Sequence, residues 1–432
     1  MSRISNLYHS VETISTKLKK NINLKPRVEI LNTNESLGHV LYDSIYSSVN
    51  IPSDNSSHMD GFAVLHKDIK DVSEFKPKIL HLNDEVELGK MKNVVLKSGE
   101  ASRIPTGGQI PKNADTIIPI EYTQLNETKK SVNIFKSLPK WSFISKIGND
   151  IMKNELLFKS GHILRIQDIS LLNIVRVKKI KVFKKPTVAI IPTGNELTND
   201  IKDIDSGKIL NTNGYIISKL IEYSGGIPID LGITTDDIQK IQAKIKDALY
   251  KNDVILTIGG SSVGHKDLVA DSINLIGKPG IIASKVKLDR GRVTKIAVLE
   301  SKPIIVLPGP IQGAMNAFIV FVLPLIRRLL GMDINSKNNI INANLTKSWI
   351  ARKKFQNFQN ILYVNLYKTR RSNDIKAEPI TGETADISVI TKSNGYILVP
   401  ENTNSIKKLQ NVQVNVLPGF SFSATGQIGY LI

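Results

Sequence analysis

The chain has 432 residues, and a single hydrophobic core stops growing well below that length, so several domains are expected. Hydrophobic residues at 41% and charged residues at 22% are typical of a soluble globular protein. The absence of cysteine excludes disulfides, thiolate metal sites and cysteine nucleophiles. The net charge of +19 favours anionic partners, but the lysines are spread along the chain without an RNA-binding or zinc-finger pattern. We therefore expect a lysine-rich soluble surface and no nucleic-acid partner.

The chain also lacks the patterns of secretion and of membrane insertion. Its start, "MSRISNLYHSVETISTKLKK", has neither an apolar stretch nor a small-residue cleavage site. The most apolar stretch, "AFIVFVLPLI" at 317–326, is too short for a bilayer span and is interrupted by Pro324. We expect a buried helix there, no membrane association and a cytoplasmic protein.

The order of predicted elements divides the chain into four domains. Residues 1–46 and 146–185 hold a few helices and strands, which we assign to one linking domain. Residues 47–145 contain many short strands with turn signals, the pattern of a β domain. Residues 186–332 alternate apolar strands with amphipathic helices, which predicts βαβ units and a parallel sheet. Residues 338–432 alternate short β runs with turns and predict a small β-barrel or sandwich, so the fold class is α/β plus β.

Two sharp turns follow strands of the predicted parallel sheet. "TGNEL" at 193–197 follows the strand "TVAIIP", and "GGSSVGHKD" at 259–267 follows "DVILTI". Ligands of such sheets lie beyond the carboxyl ends of the strands, so two turns at this edge predict a pocket.

The second turn has the composition of a phosphate-binding loop. Glycines let the backbone approach a ligand, and serine hydroxyls add hydrogen-bond donors before a helix N-terminus. The lysine and Ser/Thr of a nucleoside-triphosphate P-loop are absent. The loop candidates are Gly259, Gly260, Ser261, Ser262 and Gly264.

Each acidic candidate also has a purely structural interpretation. Asp267 either binds a bridging cation or caps the following helix, and Asp236 in "TTDD" caps a helix by default. Glu196 would stand in the first turn of a helix after "TGNEL". Asp60 in "MDGFAV" belongs to the Asp-Gly pair of a tight hairpin. Considered singly, each structural interpretation is favoured.

Their joint order changes this balance, because it resembles one family along nearly the whole chain. That family is the molybdopterin molybdenumtransferases, which include the E domain of gephyrin. The matching segments are "SSHMDGFAV" (56–64), "RIPTGGQIPKNADTIIPIE" (103–121), "GNDI" (148–151), "PTGNEL" (192–197) with "GKILNTNGY" (207–215), and "DVILTIGGSSVGHKD" (253–267).

The resemblance implies an activity and an assembly. Members of the family bind adenylylated molybdopterin, insert molybdate into its dithiolene and release AMP, with Mg²⁺ bridging carboxylate and phosphate oxygens. The ligand is then a pterin–AMP anhydride, which accounts for the missing P-loop lysine. The resemblance also implies an elongated subunit with a three-layer α/β domain. It further implies a homodimer whose active cleft is shared between subunits, and an upstream molybdopterin adenylyltransferase.

The resemblance assigns roles to individual residues. Glu196, Asp236 and Asp267 match acidic family positions and are the metal and pyrophosphate candidates. Three further catalytic candidates come from the elongated part of the molecule, and two ligand-binding candidates come from the first turn. These residues are Asp60, Thr106 and Asp150, and Thr193 and Gly194.

The chain departs from the family pattern where basic residues are expected. "LDRGRV" at 288–293 replaces a lysine-bearing segment, with Lys285 retained upstream and Asp289 at a lysine position. Arg290 and Arg292 would supply the lost charge, since a guanidinium suits oxyanions. Thr384 would stand for a family serine. These changes leave one rival open, a degenerate paralogue that binds the pterin nucleotide without turnover. A second rival is the related adenylyltransferase, which the α/β domain alone resembles.

Overall fold

The structure is a computed structural model, and it describes most of the chain. The described residues are 8–83, 85–89, 94–260, 267–333, 340–368, 374–418, 420–422 and 428–430.

The chain forms two compact units. The first, here called the α/β–barrel unit, comprises Met1–Glu29, Gly38–Tyr42 and Lys181–Ile432. The second, called the β unit, comprises Ile30–Leu37 and Asp43–Ile180. The finer limits of the four predicted domains remain predictions.

The N-terminal segment begins as the sequence predicts, with a helix and then a strand. Helix α1 (Val11–Asn21) starts where the Ser10 hydroxyl accepts a hydrogen bond from the backbone N–H of Thr13 at 3.0 Å. Ile14 and Leu18, four residues apart on one face, are buried. Strand β1 (Val28–Asn32) follows.

The β unit is built on a six-stranded sheet whose strands lie in the order β7 (Thr116–Pro119), β4 (Gly61–Val64), β6 (Glu100–Ile104), β5 (Lys78–Leu82), β9 (Ser131–Ile134) and β8 (Thr123–Asn126). Its core contains Phe62, Leu80 and Ile118, all essentially inaccessible to solvent. The predicted β domain is therefore confirmed. The elements of this part of the chain are β2 (Ile45–Tyr46), β3 (Ser56–Ser57), β4 (Gly61–Val64), α2 (His66–Ile69), β5 (Lys78–Leu82), β6 (Glu100–Ile104), β7 (Thr116–Pro119), β8 (Thr123–Asn126), β9 (Ser131–Ile134), β10 (Ile144–Ser145), β11 (Leu156–Phe158), α3 (Ile166–Ile174) and β12 (Lys179–Phe183).

The α/β–barrel unit contains the predicted βαβ sheet, in the strand order β16 (Ile227–Asp230), β13 (Thr187–Pro192), β17 (Val254–Ile258), β20 (Lys302–Leu307), β19 (Lys295–Leu299) and β18 (Pro279–Ala283). Strands β16, β13, β17 and β20 are parallel, while β19 and β18 add an antiparallel edge. The strands are β13 (Thr187–Pro192), β14 (Leu197–Thr198), β15 (Ile209–Leu210), β16 (Ile227–Asp230), β17 (Val254–Ile258), β18 (Pro279–Ala283), β19 (Lys295–Leu299) and β20 (Lys302–Leu307).

Helices α4 (Thr212–Tyr223), α5 (Ile238–Lys251) and α6 (Leu268–Ile276) beside this sheet start at the polar caps Asn211, Asp237 and Asp267 and bury one face. In α5 the buried residues Ile241, Ile245 and Leu249 recur every four positions, the spacing of an amphipathic helix. Helices α7 (Ile311–Ala317) and α8 (Leu323–Leu329) follow.

The apolar stretch around Pro324 is a core helix, as predicted. A π-helical turn, Phe318–Val322, joins α7 to α8 and places Pro324 in the first turn of α8, where the missing N–H of proline is tolerated. Ile311–Leu329 is long and apolar enough to cross a membrane by composition, but 78% of its apolar window is buried inside the protein. It packs in the same cluster as the sheet residues Val254 and Leu256.

The C-terminal residues form a closed five-stranded barrel of β21 (Ile340–Leu345), β24 (Ile375–Pro379), β23 (Asn360–Lys368), β25 (Gly395–Val399) and β27 (Asn411–Val416). The predicted fold class, an α/β domain with a β-rich N-terminal part and a C-terminal β-barrel, is confirmed. The elements are β21 (Ile340–Leu345), β22 (Trp349–Ile350), β23 (Asn360–Lys368), β24 (Ile375–Pro379), α9 (Ile387–Thr391), β25 (Gly395–Val399), β26 (Ser405–Ile406), β27 (Asn411–Val416), β28 (Phe420–Phe422) and β29 (Ile428–Tyr430).

Candidate active site

The turn after β13 is joined by hydrogen bonds to the loop that follows β16. The N–H of Gly194 donates to the carbonyl of Thr234 at 3.1 Å, and the N–H of Thr193 donates to the carbonyl of Ile258 at 2.9 Å. Thr193 is buried and its hydroxyl bonds the carbonyl of Ile191. Because parallel strands end at one edge, these loops meet as the sequence predicts.

Glu196 lies in this turn, but not in a helix. The segment after "TGN" continues into β14 and then a 3-10 helix at Ile201–Ser206, and the next α-helix, α4, starts only at Thr212. The predicted strand–turn–helix junction is therefore wrong. A methyl group on Gly194 would meet the Glu196 carboxylate oxygens at 2.5 Å, which shows that this carboxylate folds back over the glycine. Glu196 is exposed, and its carboxylate therefore stands at the open edge of the sheet.

Asp236 faces the same turn and does not cap the next helix. The cap of α5 is Asp237, whose side chain accepts from Lys240, so the predicted capping by Asp236 is wrong. Instead Asp236 accepts a hydrogen bond from the N–H of Asn195 at 3.3 Å, and the Asn195 side chain accepts one from the N–H of Asp236 at 3.1 Å. This reciprocal pair joins the loop of Asp236 to the turn that carries Glu196.

Lys244 of α5 fixes the loop that carries Asp236. Its ammonium donates to three successive carbonyls, those of Leu231 at 2.7 Å, Gly232 at 2.7 Å and Ile233 at 2.9 Å. Burial lowers the pKa of Lys244, although these carbonyl dipoles solvate the charge. The loop is thereby held by a side chain of the helix that follows it.

The structure shows why the two positions directly after β17 are glycines. Gly259 and Gly260 have φ of 91° and 64°. A methyl group on Gly259 would lie 2.6 Å from the carbonyl oxygen of Thr193, and one on Gly260 would meet Val269. The two turns therefore pack backbone to backbone. The remaining loop candidates, Ser261, Ser262 and Gly264, lie outside the described residues.

Asp267 caps α6 and forms an ion pair with a buried lysine. Its Oδ1 accepts from the N–H of Ala270 at 3.1 Å, and its Oδ2 contacts the ammonium of Lys295. The Lys295 side chain is 10% exposed and that of Asp267 is 25% exposed. The capping interpretation is thus confirmed, and Lys295 adds a cation beside Asp267 at the start of α6. The sequence analysis missed Lys295, although a lone lysine at the start of the apolar run "KIAVL" was a signal.

The predicted metal ligands do not form a complete cluster. Across the part of the chain that the structure describes, no three His, Asp or Glu side chains come together in a metal-binding group. Glu196 and Asp236 lie in the two loops that the hydrogen bonds of Asn195 join, whereas Asp267 is engaged by Lys295. Mg²⁺ usually takes one or two carboxylates together with phosphate oxygens and waters, so this pair fits a cation that arrives with a phosphate ligand.

The three catalytic candidates of the β unit lie in segments that bond to one another. Oδ1 of Asp60 accepts from the backbone N–H of Thr106 at 2.7 Å and from its hydroxyl at 3.0 Å, across 46 residues of chain. These hydrogen bonds lower the pKa of Asp60 below its ordinary value. β3 and β4 belong to different sheets, so the predicted Asp-Gly hairpin is wrong.

Asp150 is exposed in the neighbouring segment. Its N–H bonds the carbonyl of Ile51 at 3.0 Å, and β10 pairs with β3 just before Asp60. The structure therefore brings the segments of Asp60, Thr106 and Asp150 together within the β unit.

A cavity, here called the arginine pocket, lies where the barrel packs against the segment before β19. Its volume is about 470 Å³, within the ~300–1,000 Å³ range of small-molecule sites. Arg290 and Arg352 line it together with Asp289, and Nη1 of Arg290 donates to the neutral side chain of Gln312 at 2.9 Å. Burial and then the nearby charge of Arg352 lower the pKa of Arg290, which nevertheless stays cationic.

The other oxyanion candidates, Arg292, Thr384 and Lys285, are not among the residues that line this cavity. The guanidinium of Arg292 lies 4.9 Å from the ring centre of Phe355. The guanidinium of Arg352 lies 4.8 Å from the same ring centre. Thr384 is half-buried, and its carbonyl accepts from the N–H of Gln312 at 3.4 Å. Lys285 is exposed, before Asp289 in the chain.

Arg352 was not identified from the sequence. It lies in "ARKKFQNF", a charged stretch that predicts only a solvated surface, and the pocket depends on its meeting a residue 63 positions earlier. An arginine beside an aromatic residue was the one available signal.

Two stretches of the chain match known family descriptions. Residues 9–175 match the "MoeA N-terminal region (domain I and II)". Residues 189–328 match a "Probable molybdopterin binding domain". The first covers the Asp60 and Thr106 segments, and the second covers the carboxyl edge of the parallel sheet.

Full-length relatives show the same similarity. A putative molybdopterin biosynthesis protein of Methanocaldococcus jannaschii is 30% identical over 412 residues, covering 93% of this chain and 95% of the relative. A molybdopterin molybdenumtransferase of Staphylococcus epidermidis is 29% identical over 406 residues, covering 92% of this chain and 94% of the relative. The crystal structure of a MoeA molybdopterin biosynthesis protein from Pyrococcus horikoshii superposes with a TM-score of 0.78 at 28% identity, covering 95% of this chain and 99% of that one.

Proposed function

Because the chain belongs to the MoeA family of molybdopterin biosynthesis proteins, we propose that it inserts molybdate, or tungstate, into adenylylated molybdopterin and releases AMP. Relatives named molybdopterin molybdenumtransferase cover nearly all of it, and the protein is accordingly a transferase of molybdenum cofactor biosynthesis. The observation that carries the finer proposal is the set of glycine turns and carboxylates at one edge of the parallel sheet.

The pyrophosphate of the nucleotide would bind at this edge. Gly259 and Gly260 leave room for a phosphate near the backbone, and the N-terminus of α6 favours negative charge. Lys295 compensates the charge of Asp267, which would otherwise repel phosphate oxygens. Glu196 and Asp236 would hold Mg²⁺, which when bound neutralises the pyrophosphate and supports its cleavage.

The oxyanion would bind in the arginine pocket. Arg290 and Arg352 supply two guanidiniums, whose forked donors match oxyanion geometry better than lysine does. Residues that hold charge in a fixed arrangement lower the barrier electrostatically, so no nucleophilic side chain is required.

We also propose a cytoplasmic homodimer whose subunits share the active cleft. This proposal rests on the family resemblance, in which Asp60, Thr106 and Asp150 come from the partner of the subunit that supplies the α/β domain. The hydrogen bond between Asp60 and Thr106 supports a joint role for these two residues. A molybdopterin adenylyltransferase would supply the substrate.

Two rivals differ in their products. A degenerate paralogue is favoured by Asp289, which stands at a lysine position of the family pattern. An adenylyltransferase would consume ATP, but the match of residues 9–175 and the C-terminal barrel support a transferase of the full-length type.

The test is incubation of the protein with adenylylated molybdopterin, Mg²⁺ and either molybdate or tungstate, with AMP followed by chromatography. We expect AMP release that requires both Mg²⁺ and the oxyanion. Tight nucleotide binding without AMP would establish the degenerate binder, and consumption of ATP with unadenylylated molybdopterin would establish the adenylyltransferase.

A further inference from the structure

In the arginine pocket, one of the two arginines is already ion-paired with a carboxylate of the protein. The guanidinium of Arg352 donates through Nε to Oδ2 of Asp289 at 3.2 Å and through Nη2 to Oδ1. The backbone N–H of Arg290 adds a third hydrogen bond, 2.9 Å to Oδ1. The Asp289 side chain is 8% exposed and that of Arg352 is 40% exposed.

This ion pair uses the N–H groups of Arg352 to which a tetrahedral oxyanion would bind. A guanidinium binds a carboxylate and an oxyanion with the same two parallel N–H groups, so the two acceptors compete for them. Arg290 is different, because its side-chain partner within the described part of the chain is the neutral amide of Gln312. The pocket thus holds one arginine with a charged partner and one with a neutral partner.

We propose that Asp289 is a specificity-determining residue: its carboxylate is an internal counter-ion that a tetrahedral dianionic oxyanion displaces from Arg352. The inference rests on the proposed function, in which this pocket holds the oxyanion. A dianion that bridges Arg290 and Arg352 gains two guanidiniums in exchange for one broken ion pair. A monovalent anion such as chloride neutralises less charge and does not displace a doubly hydrogen-bonded carboxylate.

The surroundings allow this exchange without loss of the pocket. Arg352 stays stacked on Phe355 when the carboxylate moves, because the ring contact is independent of Asp289. The backbone of Asp289 is held separately, since its carbonyl accepts from the side chain of Asn316 at 3.2 Å, and Asn316 in turn accepts from the Tyr363 hydroxyl. Only the Asp289 side chain needs to move.

The test is a direct binding measurement that uses Trp349, which lines the pocket. The chain has two tryptophans, so Trp141→Phe leaves Trp349 as the only fluorescent indole. In that background, molybdate and sulfate are titrated into the protein with Asp289 intact and into Asp289→Asn, with and without added chloride. Glu378→Gln is the matched control, because it removes one carboxylate of the same barrel that is paired with Lys347 at 2.8 Å.

We expect Asp289→Asn to bind both oxyanions about tenfold more tightly, the effect of removing one competing charge, and to become sensitive to chloride. Glu378→Gln should change either affinity less than twofold. Unchanged or weaker binding in Asp289→Asn would overturn the proposal, since Asp289 would then only position Arg352. Absence of oxyanion binding in all variants would overturn it as well.

Folding and catalysis are separated by two further measurements. Each variant is checked by thermal melting, and Asp289→Ser, which also removes the charge, replaces Asp289→Asn if that variant does not fold. AMP release is measured apart from binding. Tighter oxyanion binding without AMP release would leave the counter-ion role intact and remove the proposed function.

Discussion

At the scale of single residues, Asp267 joins a structural and a chemical role in one carboxylate. One oxygen caps α6 through Ala270 and the other pairs with Lys295. Asparagine keeps an acceptor for the cap but leaves Lys295 unpaired, so a single substitution changes two things at once.

We expect Asp267→Asn to lower stability by about 1–3 kcal/mol, because breaking a mostly buried ion pair leaves a charge without its partner. Mg²⁺-dependent AMP release should fall much further. Adding Lys295→Met should restore most of the stability, measured by denaturation, without restoring AMP release. Recovered AMP release in the double variant would show that Asp267 serves only to neutralise Lys295.

Asp168 in the β unit gives a residue-scale prediction about pH. Its side chain is 3% exposed, and it accepts hydrogen bonds from Arg165 and contacts His162 at 2.7 Å. Burial alone would raise the pKa of Asp168, but the bonds from Arg165 and His162 outweigh it and lower the pKa from 3.8 to about 2.

A lowered pKa means that the ionised form stabilises the fold. This contribution is fully present above pH 3.8, the ordinary value, and is lost as the pH falls through about 2. Asp168→Asn should therefore be less stable than the native protein by about 2 kcal/mol near pH 6, with the gap closing between pH 4 and pH 2. Denaturant unfolding at several pH values measures the gap, and a gap that stays constant down to pH 2 would contradict the assignment.

At the scale of elements, two turns that touch through their backbones meet at the carboxyl edge of the parallel sheet. Gly259 contacts the turn at Thr193, and the reciprocal bonds of Asn195 and Asp236 join that turn to the loop after β16. The strands set the edge, and the glycine and Asx contacts then bring the loops together there.

Gly259→Ala should destabilise the protein by about 3 kcal/mol, because it combines a left-handed φ with a clash against a carbonyl oxygen. Gly207→Ala is the matched control, since Gly207 has a φ of 86° but open space around it. In that control the free energy of unfolding should fall by only about 1 kcal/mol, the cost of placing alanine in a left-handed backbone conformation. Urea denaturation measures both variants. If their free energies of unfolding fall by the same amount, the contact between the turns does not contribute to stability.

At the scale of the whole molecule, the proposed shared cleft predicts how many intact active sites form when two inactive variants are mixed. Asp60→Ala and Asp267→Ala homodimers should each be nearly inactive. Co-refolded in equal amounts, half of the dimers are mixed, and each mixed dimer holds one site with both substitutions and one with neither. AMP release should recover to about a quarter of the native rate.

A site built within one chain cannot recover in this way, because every chain carries a substitution. Mixed dimers are verified by tagging the two variants differently and purifying through both tags. Mixed dimers without recovered AMP release would exclude the shared cleft, and a monomeric native protein in light scattering would exclude the dimer.

The sequence by itself determined the family, the fold class and the positions of the turns. These follow from local signals: alternation of strands with helices, glycines where left-handed φ is needed, and caps such as Asn211 before α4. The same local reasoning failed for Asp236 and Glu196. It cannot tell which of two adjacent aspartates caps a helix, or that a turn continues into a strand.

Only the tertiary structure decided which charges meet. The pairs Asp267–Lys295 and Asp289–Arg352, and the hydrogen bond from Thr106 to Asp60, join residues far apart in the chain. Such pairs depend on strand order and on the packing of the barrel against the segment before β19. Neither feature produces a periodic pattern in the sequence from which it could be predicted. The energy of an ion pair depends on distance and burial, and both are properties of the folded chain alone.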